Sequence, residues 1–243
     1  MEEKNGAKEI IDHHIHIGQF YEEYYEPLEI MRIIEASGLV AGCCFSSTTT
    51  GVKYAKIERE IQSVSAVYPA DIMQPYFRFM PAFIKEGISI ESAMKSLPYR
   101  GFKIHPMDEW NFENDSLQTH HLHQIFDDAG RRCLPVLIHT GESGIDSPDR
   151  FEMFFREYQN TRIILAHCRP AGETIKMFRQ YKNVYGDTAF APKERINEIV
   201  NAGYADRLIF GTDFPVTHYF ARKYFNSHLS LSVQYEKDIN GIV

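Results

Sequence analysis

The sequence has few cysteines, no Cys-x-x-Cys pair and no long apolar run. The first two features exclude a small disulfide scaffold, and the third excludes a membrane-spanning helix. Its 4 cysteines among 243 residues lie in apolar runs, which is typical of buried free thiols and predicts a reducing compartment. No run approaches the roughly 18 uninterrupted apolar residues of a membrane helix. The first residues are polar and lack the apolar stretch of a signal peptide, so we expect a cytoplasmic protein without a membrane partner.

The charge balance is mildly acidic and contains no basic block. The formal net charge is −7, from 26 Lys and Arg against 33 Asp and Glu. Nucleic acid and anionic lipid both require a concentrated positive field, which this composition does not offer. We therefore expect a small molecule rather than nucleic acid as the partner. The hydrophobic fraction of 44% is sufficient for a sizeable core.

Short apolar runs alternate with longer amphipathic stretches along the chain. Eight strands are predicted, at residues 9–17, 39–45, 76–83, 100–105, 135–139, 162–167, 183–188 and 207–212. Helices are predicted at 28–36, 54–67, 89–95, 116–131, 148–158, 171–181 and 193–201, with a last one around 224–239. Because parallel strands need crossover connections, this order predicts an α/β fold, a single (β/α)8 TIM barrel with a short C-terminal tail, as one domain over residues 1–243.

A doubly wound open sheet has the same local alternation and is the rival fold. It usually has fewer strands, and it carries a Gly-rich phosphate turn after its first strand. Here the first strand runs into His14-Ile15-His16 instead. The chain also lacks a Pro- or Ser-rich linker and an internal repeat, so the barrel is the better prediction.

Polar residues end most of the predicted strands, and in a TIM barrel chemistry lies at these carboxyl ends. Alternation along the first strand places Asp12, His14 and His16 on one face, whereas His13 shares the other face with apolar residues. His14 and His16 can therefore aim two imidazoles at one point. The other strand-end residues are Lys103, His105, His139, His167, Asp187 and Asp213.

This combination predicts a metal centre. Imidazole is a good ligand for zinc-like divalent ions, and a catalytic site needs about three protein ligands with one position left for water. His139 and Asp213 are the natural completions of the His14 and His16 pair, and Asp12 is expected to orient a ligand. A His-x-His pair alone more often marks core histidines, so the prediction depends on the other strand ends.

Five separated segments carry a resemblance to a known family. They are residues 10–18 (Ile-Ile-Asp-His-His-Ile-His-Ile-Gly), 101–106 (Gly-Phe-Lys-Ile-His-Pro), 134–141, 165–167 and 210–215. In order and in type they resemble the strand-end motifs of the amidohydrolase superfamily, and in particular its amidohydrolase-related (amidohydrolase-2) branch. The resemblance implies that His14, His16 and His139 bind a divalent metal. It also implies that Asp213 touches the metal and shuttles a proton, and that His167 is a catalytic residue that binds a second metal or contacts substrate.

Lys103 leaves two interpretations open. Two-metal members of the superfamily bridge their ions with a carboxylated lysine at the end of strand four, and Lys103 matches that position. As an unmodified cation it would instead pair with an acid such as Asp187 or hold an anionic substrate. We favour the cation and one ion, zinc, because the branch it resembles mostly works with one metal. His105 and Arg169 are the other predicted substrate-binding residues, although Arg169 is also compatible with a surface role.

The resemblance implies a metal-dependent hydrolase that acts on a C–O or C–N bond of a small anionic substrate, such as a lactone, ester or amide. Relatives in the same branch perform non-oxidative decarboxylation of small or aromatic acids, which is the alternative, and a non-catalytic metal-binding scaffold is the third hypothesis. Trp110 is a candidate lid residue, and His218 is expected to be solvated. The short segment after Asp213 predicts a compact last helix or closure of the barrel by a partner subunit, so a homodimer is compatible with the sequence.

Overall fold

A parallel sheet is the central element of the computed structural model, which describes residues 10–46, 52–69, 72–141 and 143–242. Glu9, where the first predicted strand begins, lies outside these residues. The sheet order is β10-β9-β8-β7-β6-β5-β4-β2-β3, with β1 also beside β4, and only the β2–β3 hairpin is antiparallel among the described pairs. The strands are β1 (Ile11–Asp12), β2 (Ile15–Phe20), β3 (Glu23–Tyr25), β4 (Val40–Ser46), β5 (Met73–Arg78), β6 (Gly101–Ile104), β7 (Pro135–His139), β8 (Arg162–Ala166), β9 (Val184–Asp187) and β10 (Leu208–Ile209).

Backbone hydrogen bonds join the two ends of the sheet. The His13 amide donates to the Phe210 carbonyl at 3.0 Å, and the His16 amide donates to the Phe214 carbonyl at 2.7 Å. In the opposite direction, the Asp213 amide donates to the His14 carbonyl at 2.8 Å. The segment after β10 therefore lies beside β1 and β2, which together form one interrupted barrel strand. This closure confirms the predicted α/β fold as a (β/α)8 TIM barrel.

A glycine makes this closure tight. A Cβ atom added to Gly211 would lie 2.8 Å from Cβ of His14, a distance at which one of the two strands must shift. Only glycine lets the last strand approach the first histidine of the predicted metal pair this closely.

A small apolar cluster fills the inside of the barrel beneath its polar end. Its buried members are Tyr76, Leu137, Ile164 and Ala166. Because side chains alternate along a strand, Arg78 and His139 share a face with Tyr76 and Leu137, one step nearer the carboxyl ends. The polar residues at the carboxyl ends of the strands therefore lie above an apolar layer inside the barrel. The larger core cluster lies between the sheet and the helices.

Helices connect the strands. They are α1 (Pro27–Ala36), α2 (Tyr54–Ser65), α3 (Pro81–Lys85), α4 (Ile90–Ser96), α5 (Ser116–Arg132), α6 (Glu152–Glu157), α7 (Ala171–Gln180), α8 (Lys193–Asn201), α9 (Val216–Phe225) and α10 (Leu231–Ile242), with 3₁₀ turns at Pro148–Phe151 and Ala205–Arg207. The longest, α5, begins where the Asp115 carboxylate accepts the amides of Leu117 and Gln118. Within the described ranges, no helix is long and apolar enough to cross a membrane.

Several predicted elements were wrong in detail. The first predicted strand is divided into β1 and β2, and the strand expected at 207–212 is shortened to β10. The strand expected at 76–83 ends at Arg78, because Pro81 begins α3 at a position where the missing amide is tolerated. The helix expected at 148–158 begins with a 3₁₀ turn before α6. The last predicted helix is two helices, α9 and α10, which Asn226 separates by its left-handed φ of 52°. That residues 1–243 form one domain stays a prediction.

The cysteines also depart from expectation. Cys168 is buried and free, as predicted, but Cys133 is free and exposed. Cys133 ends α5 with a left-handed φ of 57°, so its side chain lies at a helix terminus rather than inside a strand.

Candidate metal centre and active site

His14, His16 and Asp213 converge at the carboxyl end of the barrel. The Nε2 atoms of His14 and His16 lie 3.2 Å and 3.0 Å from the same oxygen, Oδ1 of Asp213. All three residues are buried, and their donor atoms lie within 4.8 Å of one another. Two imidazoles and a carboxylate at this spacing are a ligand set that suits a zinc-like ion.

The backbone at Asp213 is held in an unusual conformation. Its φ is 66°, in the left-handed region that residues other than glycine rarely adopt, at a cost of about 1–3 kcal/mol. Its amide bonds the His14 carbonyl, and its own carbonyl accepts the Val216 amide at 2.9 Å. These bonds to two neighbouring segments hold the carboxylate against the histidine pair.

Asp187 supports His14 from the other side of the imidazole. Oδ2 of Asp187 lies 2.7 Å from Nδ1 of His14. A carboxylate only accepts, so Nδ1 carries the proton. Burial, together with the charge of Lys103, lowers the pKa of His14 well below its usual value, so the ring is neutral near pH 7.

It follows that Nε2 of His14 presents a lone pair to the carboxylate oxygen of Asp213. Two acceptors that face each other at 3.2 Å repel unless a positive charge lies near both. Burial also lowers the pKa of His16 well below its usual value, with the charges of Lys103 and Arg78 acting in the same direction. Neutral imidazoles are the form that binds metal, so these residues fit a divalent cation.

His139 and His167 form a second pair beside this cluster. Nδ1 of His167 lies 2.8 Å from the Ala189 carbonyl oxygen, which only accepts, so this nitrogen is protonated. Burial lowers the pKa of His167 to about 3, so its Nε2 is an acceptor, and Nδ1 of His139 donates to it at 3.1 Å. The His139 ring in turn stacks on His105, with centroids 4.1 Å apart.

Three of the four predicted metal ligands therefore lie close together, and the fourth, His139, contacts other residues. Among the described residues, the close donor groups are His14–His16–Asp213 and His14–His167–Asp187. His139 lines the same cavity but contacts His167 and His105 rather than this first group. Its role as a metal ligand stays a prediction.

Three cations lie at the same end of the barrel. Lys103 and Arg78 are each 1% exposed, and their Cα atoms pair across β6 and β5. Arg78 donates from Nε and Nη2 to the two Asp108 oxygens at 2.9 Å and 2.5 Å. Arg169 is partly buried and donates from Nε to the Thr140 carbonyl at 3.0 Å.

A cavity of about 350 Å³ opens over these groups. One part of its wall is polar and mostly cationic or imidazole in character, and the other part is apolar and aromatic. The polar lining is His16, Lys103, His105, His139, His167, Arg169 and Asp213, and the apolar lining is Phe20, Tyr21, Met107, Phe190, Val216 and Phe220. All the predicted site residues except the fully buried His14 line this cavity.

Comparison with known families identifies the chain. The amidohydrolase family model matches residues 11–228, which include every described strand and α9. The chain belongs to the amidohydrolase family. It is therefore an enzyme of the amidohydrolase superfamily, as the strand-end motifs predicted. No curated protein matches this amidohydrolase.

Solved structures share its fold at low sequence identity. A dihydroorotase from Campylobacter jejuni is 14% identical with a TM-score of 0.53, over 84% of this chain and 69% of that one. A TatD-like protein from Archaeoglobus fulgidus is 12% identical with a TM-score of 0.52, over 88% and 94%. CdNal from Clostridium difficile, solved in complex with mannosamine, is 13% identical with a TM-score of 0.53, over 96% and 79%. These likenesses show the barrel fold of the amidohydrolase.

Asp12 accepts the His14 backbone amide at 3.2 Å rather than bonding its ring, and His13 does not pack toward the helices. The Asp12 carboxylate accepts the Thr212 hydroxyl at 2.7 Å and the Tyr235 hydroxyl of α10 at 2.9 Å, and burial raises its pKa to about 7. His13 lies edge-on to Tyr76 of the barrel interior, with centroids 5.5 Å apart. The break between β1 and β2 interrupts the alternation on which the prediction depended.

Two other residues of this amidohydrolase lie elsewhere than expected. Trp110 is only 2% exposed, with its ring 6.2 Å from that of Phe79, so it is a core residue rather than a lid. His218 is buried, and its Nε2 lies 3.2 Å from the Leu229 carbonyl oxygen.

Arg78 was missed because the strand was predicted to continue past it. Its charge within an otherwise apolar predicted strand was the feature of the sequence that could have indicated a functional role.

Proposed function

We propose that this amidohydrolase is a metal-dependent hydrolase that cleaves a C–O or C–N bond in a small anionic substrate, such as a lactone, ester or amide, with one zinc ion. The observation that carries the proposal is the convergence of His14 and His16 Nε2 on Oδ1 of Asp213. These three residues would hold the ion, and His139 is the proposed additional ligand. A bound divalent ion lowers the pKa of water to about 7 and polarises a carbonyl.

Asp213 is the proposed proton carrier. It takes the proton from the attacking water and returns it to the leaving group. Its carboxylate lines the cavity and is held by the backbone bonds on both sides of residue 213. A fixed carboxylate beside the reacting atoms meets the geometric requirement for a general base.

His167 is the second proposed catalytic residue. The Ala189 carbonyl keeps the proton on its Nδ1, so Nε2 is an acceptor at the cavity wall, where Nδ1 of His139 donates to it. In this form His167 accepts a proton or supports a ligand, and it does not donate a hydrogen bond from Nε2 to a carbonyl.

The cationic part of the wall is the proposed site for the substrate's anionic end. Lys103, His105 and Arg169 line the cavity, whereas the nearby buried Arg78 is paired with Asp108. A guanidinium and an ammonium in a partly dry site bind a carboxylate through charge-assisted hydrogen bonds. The apolar lining on the other part of the wall supports a substrate with a small apolar portion and excludes water around it.

Decarboxylation is the second candidate, and the buried Lys103 and Arg78 charges favour it as well. In that reaction the C–C bond to a bound carboxylate breaks, carbon dioxide leaves, and a proton takes its place on carbon. Asp213 would deliver that proton after taking it from water.

A direct assay separates the candidates. Zinc-loaded and chelator-treated protein is given a panel of small lactones, esters, amides and aromatic acids, while hydrolysis and carbon dioxide release are both recorded. We expect zinc-dependent hydrolysis. Carbon dioxide release without hydrolysis would establish the decarboxylase instead, and full zinc occupancy with neither product would indicate a non-catalytic scaffold.

The proton carrier has its own variant. Asp213→Asn should retain much of the zinc yet lose turnover by orders of magnitude, whereas Asp149→Asn, on the surface beside Lys176, should behave as wild type. An active Asp213→Asn enzyme would remove Asp213 from the mechanism.

A further inference from the structure

Asp187 contacts both candidate donor groups, although the proposed mechanism gives it no role. It ends β9 and is fully buried. Its Oδ2 lies 2.7 Å from Nδ1 of His14. Its Oδ1 accepts the His167 amide at 2.7 Å and the Ala189 amide at 3.2 Å.

We propose that Asp187 is a positioning residue that keeps His14 in the Nδ1–H tautomer and thereby directs its Nε2 lone pair toward Asp213 and a bound cation. The proposal rests on the metal centre proposed above. A hydrogen bond from a ligating histidine to a carboxylate fixes the tautomer and the ring orientation, and raises the basicity of the nitrogen that binds the metal.

The same carboxylate also fixes His167. The φ of His167 is 68°, which is unfavourable for any residue other than glycine. Asp187 binds the His167 amide and the Ala189 amide, while the Ala189 carbonyl binds the His167 ring. One buried side chain therefore holds the imidazole of His14 and the backbone of His167 directly, and the ring orientation of His167 through residue 189.

A direct role for Asp187 as a metal ligand fits these contacts less well. Its two oxygens already take part in three hydrogen bonds, two of them from the buried backbone amides of His167 and Ala189. Moving the carboxylate onto an ion would leave buried amides without this acceptor, at a cost of about 1–3 kcal/mol each.

Replacing Asp187 by asparagine isolates the tautomer effect. In Asp187→Asn the amide oxygen keeps the His167 and Ala189 bonds, while the amide NH₂ faces Nδ1 of His14. Since NH₂ only donates, His14 would move its proton to Nε2, the nitrogen that faces Asp213. Asp187→Ala removes all three bonds and leaves the His14 tautomer free to vary.

Two measurements test the proposal. Nitrogen-15 NMR of the imidazoles in metal-free protein, with His14→Gln used to assign the His14 signals, should show Nδ1–H in wild type and Nε2–H in Asp187→Asn. Zinc affinity, measured by competition with a chromophoric chelator, should fall about 10- to 100-fold in Asp187→Asn. Asp12→Asn is the matched control, because Asp12 is equally buried and accepts the His14 amide but does not touch its ring. It should leave the tautomer and the zinc affinity unchanged.

The outcomes are distinct from those of the functional proposal. An Nε2–H tautomer in wild type, or an Asp187→Asn variant with unchanged zinc affinity, would overturn the role of Asp187. Equal loss of zinc affinity in Asp12→Asn would reduce that role to general support of the barrel and overturn it too. If wild type binds no zinc, the metal centre fails, while the NMR result in metal-free protein still shows whether Asp187 sets the tautomer.

Discussion

The two sides of the barrel mouth carry opposite charge. Where the sheet closes, β9 and the segment after β10 bring the carboxylates of Asp187 and Asp213 to His14 and His16. Across the barrel, β5 and β6 bring two buried cations, Arg78 and Lys103, side by side. Under the proposed function, a divalent cation would bind at the closure, and the anionic end of a substrate would bind at β5 and β6.

Removing a histidine from the closure side should have the largest effect. His16→Gln eliminates one of the two Nε2 atoms that face Asp213. We expect zinc affinity to fall by more than about 100-fold and turnover to fall with it, because a ligand is lost rather than its orientation. Chelator competition measures the affinity, and His120→Gln, exposed on α5, is the control. Wild-type affinity in His16→Gln would break the assignment of the cation to this side.

On the cationic side, the buried Arg78–Asp108 pair should have the next largest effect, on stability. Asp108→Ala removes the carboxylate that both guanidinium nitrogens bind. A buried charge that loses its partner costs about 3–5 kcal/mol, which urea unfolding measures. The exposed Glu91–Lys95 pair is the control, since its side chains are 72% and 70% exposed, and Glu91→Ala should leave the unfolding midpoint unchanged. Similar midpoints for both variants would contradict the dry environment of Arg78.

Lys103 should act on the binding of anionic substrates. Lys103→Met keeps the length of the side chain but removes its charge, so KM for an anionic substrate should rise about 10- to 100-fold while KM for a neutral analogue changes little. Anomalous diffraction at the zinc edge should show one peak, in keeping with an unmodified lysine. An equal change in KM for both substrates would mean that Lys103 does not bind the anionic end, and two peaks bridged by a carboxylated lysine would replace the one-metal centre.

The last expected effect concerns Asp12 and the dependence of stability on pH. Its pKa is raised from 3.8 to about 7 by burial, so the folded protein keeps a proton that the unfolded chain releases. The contribution of Asp12 to the free energy of unfolding is therefore greatest below pH 4 and falls by up to about 1.4 kcal/mol per unit as pH rises to 7.

Unfolding free energies of wild type and Asp12→Asn at pH 5 and pH 7.5 measure this effect. The stability of wild type relative to the variant should decrease at the higher pH, since asparagine does not titrate. A relative stability that increases with pH would show that Asp12 is charged in the folded protein.

Much of the fold could be predicted from the sequence, because each β–α unit is encoded by the spacing of apolar residues within a short segment. The spacing of apolar residues predicted most strands and helices. Gly, Pro and Asp residues predicted where several of these elements end. The break at His13 was not readable, because it arises where β1 and β2 exchange backbone bonds with residues 210–214, almost two hundred positions away. A period-2 pattern contains no information about which strand lies alongside it.

In the candidate site, too, some residues could be predicted from the sequence and some contacts could not. His14, His16 and Asp213 were predictable as strand-end residues, and the structure brings them together. Asp187 was visible as a polar strand end, but its bond to Nδ1 of His14 depends on the curvature of the closed barrel. Arg78 and its partner Asp108 are separated by a helical unit, so only the folded chain shows that they meet.

The contact between Gly211 and His14 limits how this pocket can be redesigned. Libraries intended to alter substrate preference can vary the aromatic wall at Phe190 and Phe220, which line the apolar part of the cavity. Position 211 offers no such freedom, since even alanine would meet Cβ of His14. Changes to the aromatic wall would therefore leave the proposed metal centre in place, whereas any side chain at position 211 would displace His14, its proposed first ligand.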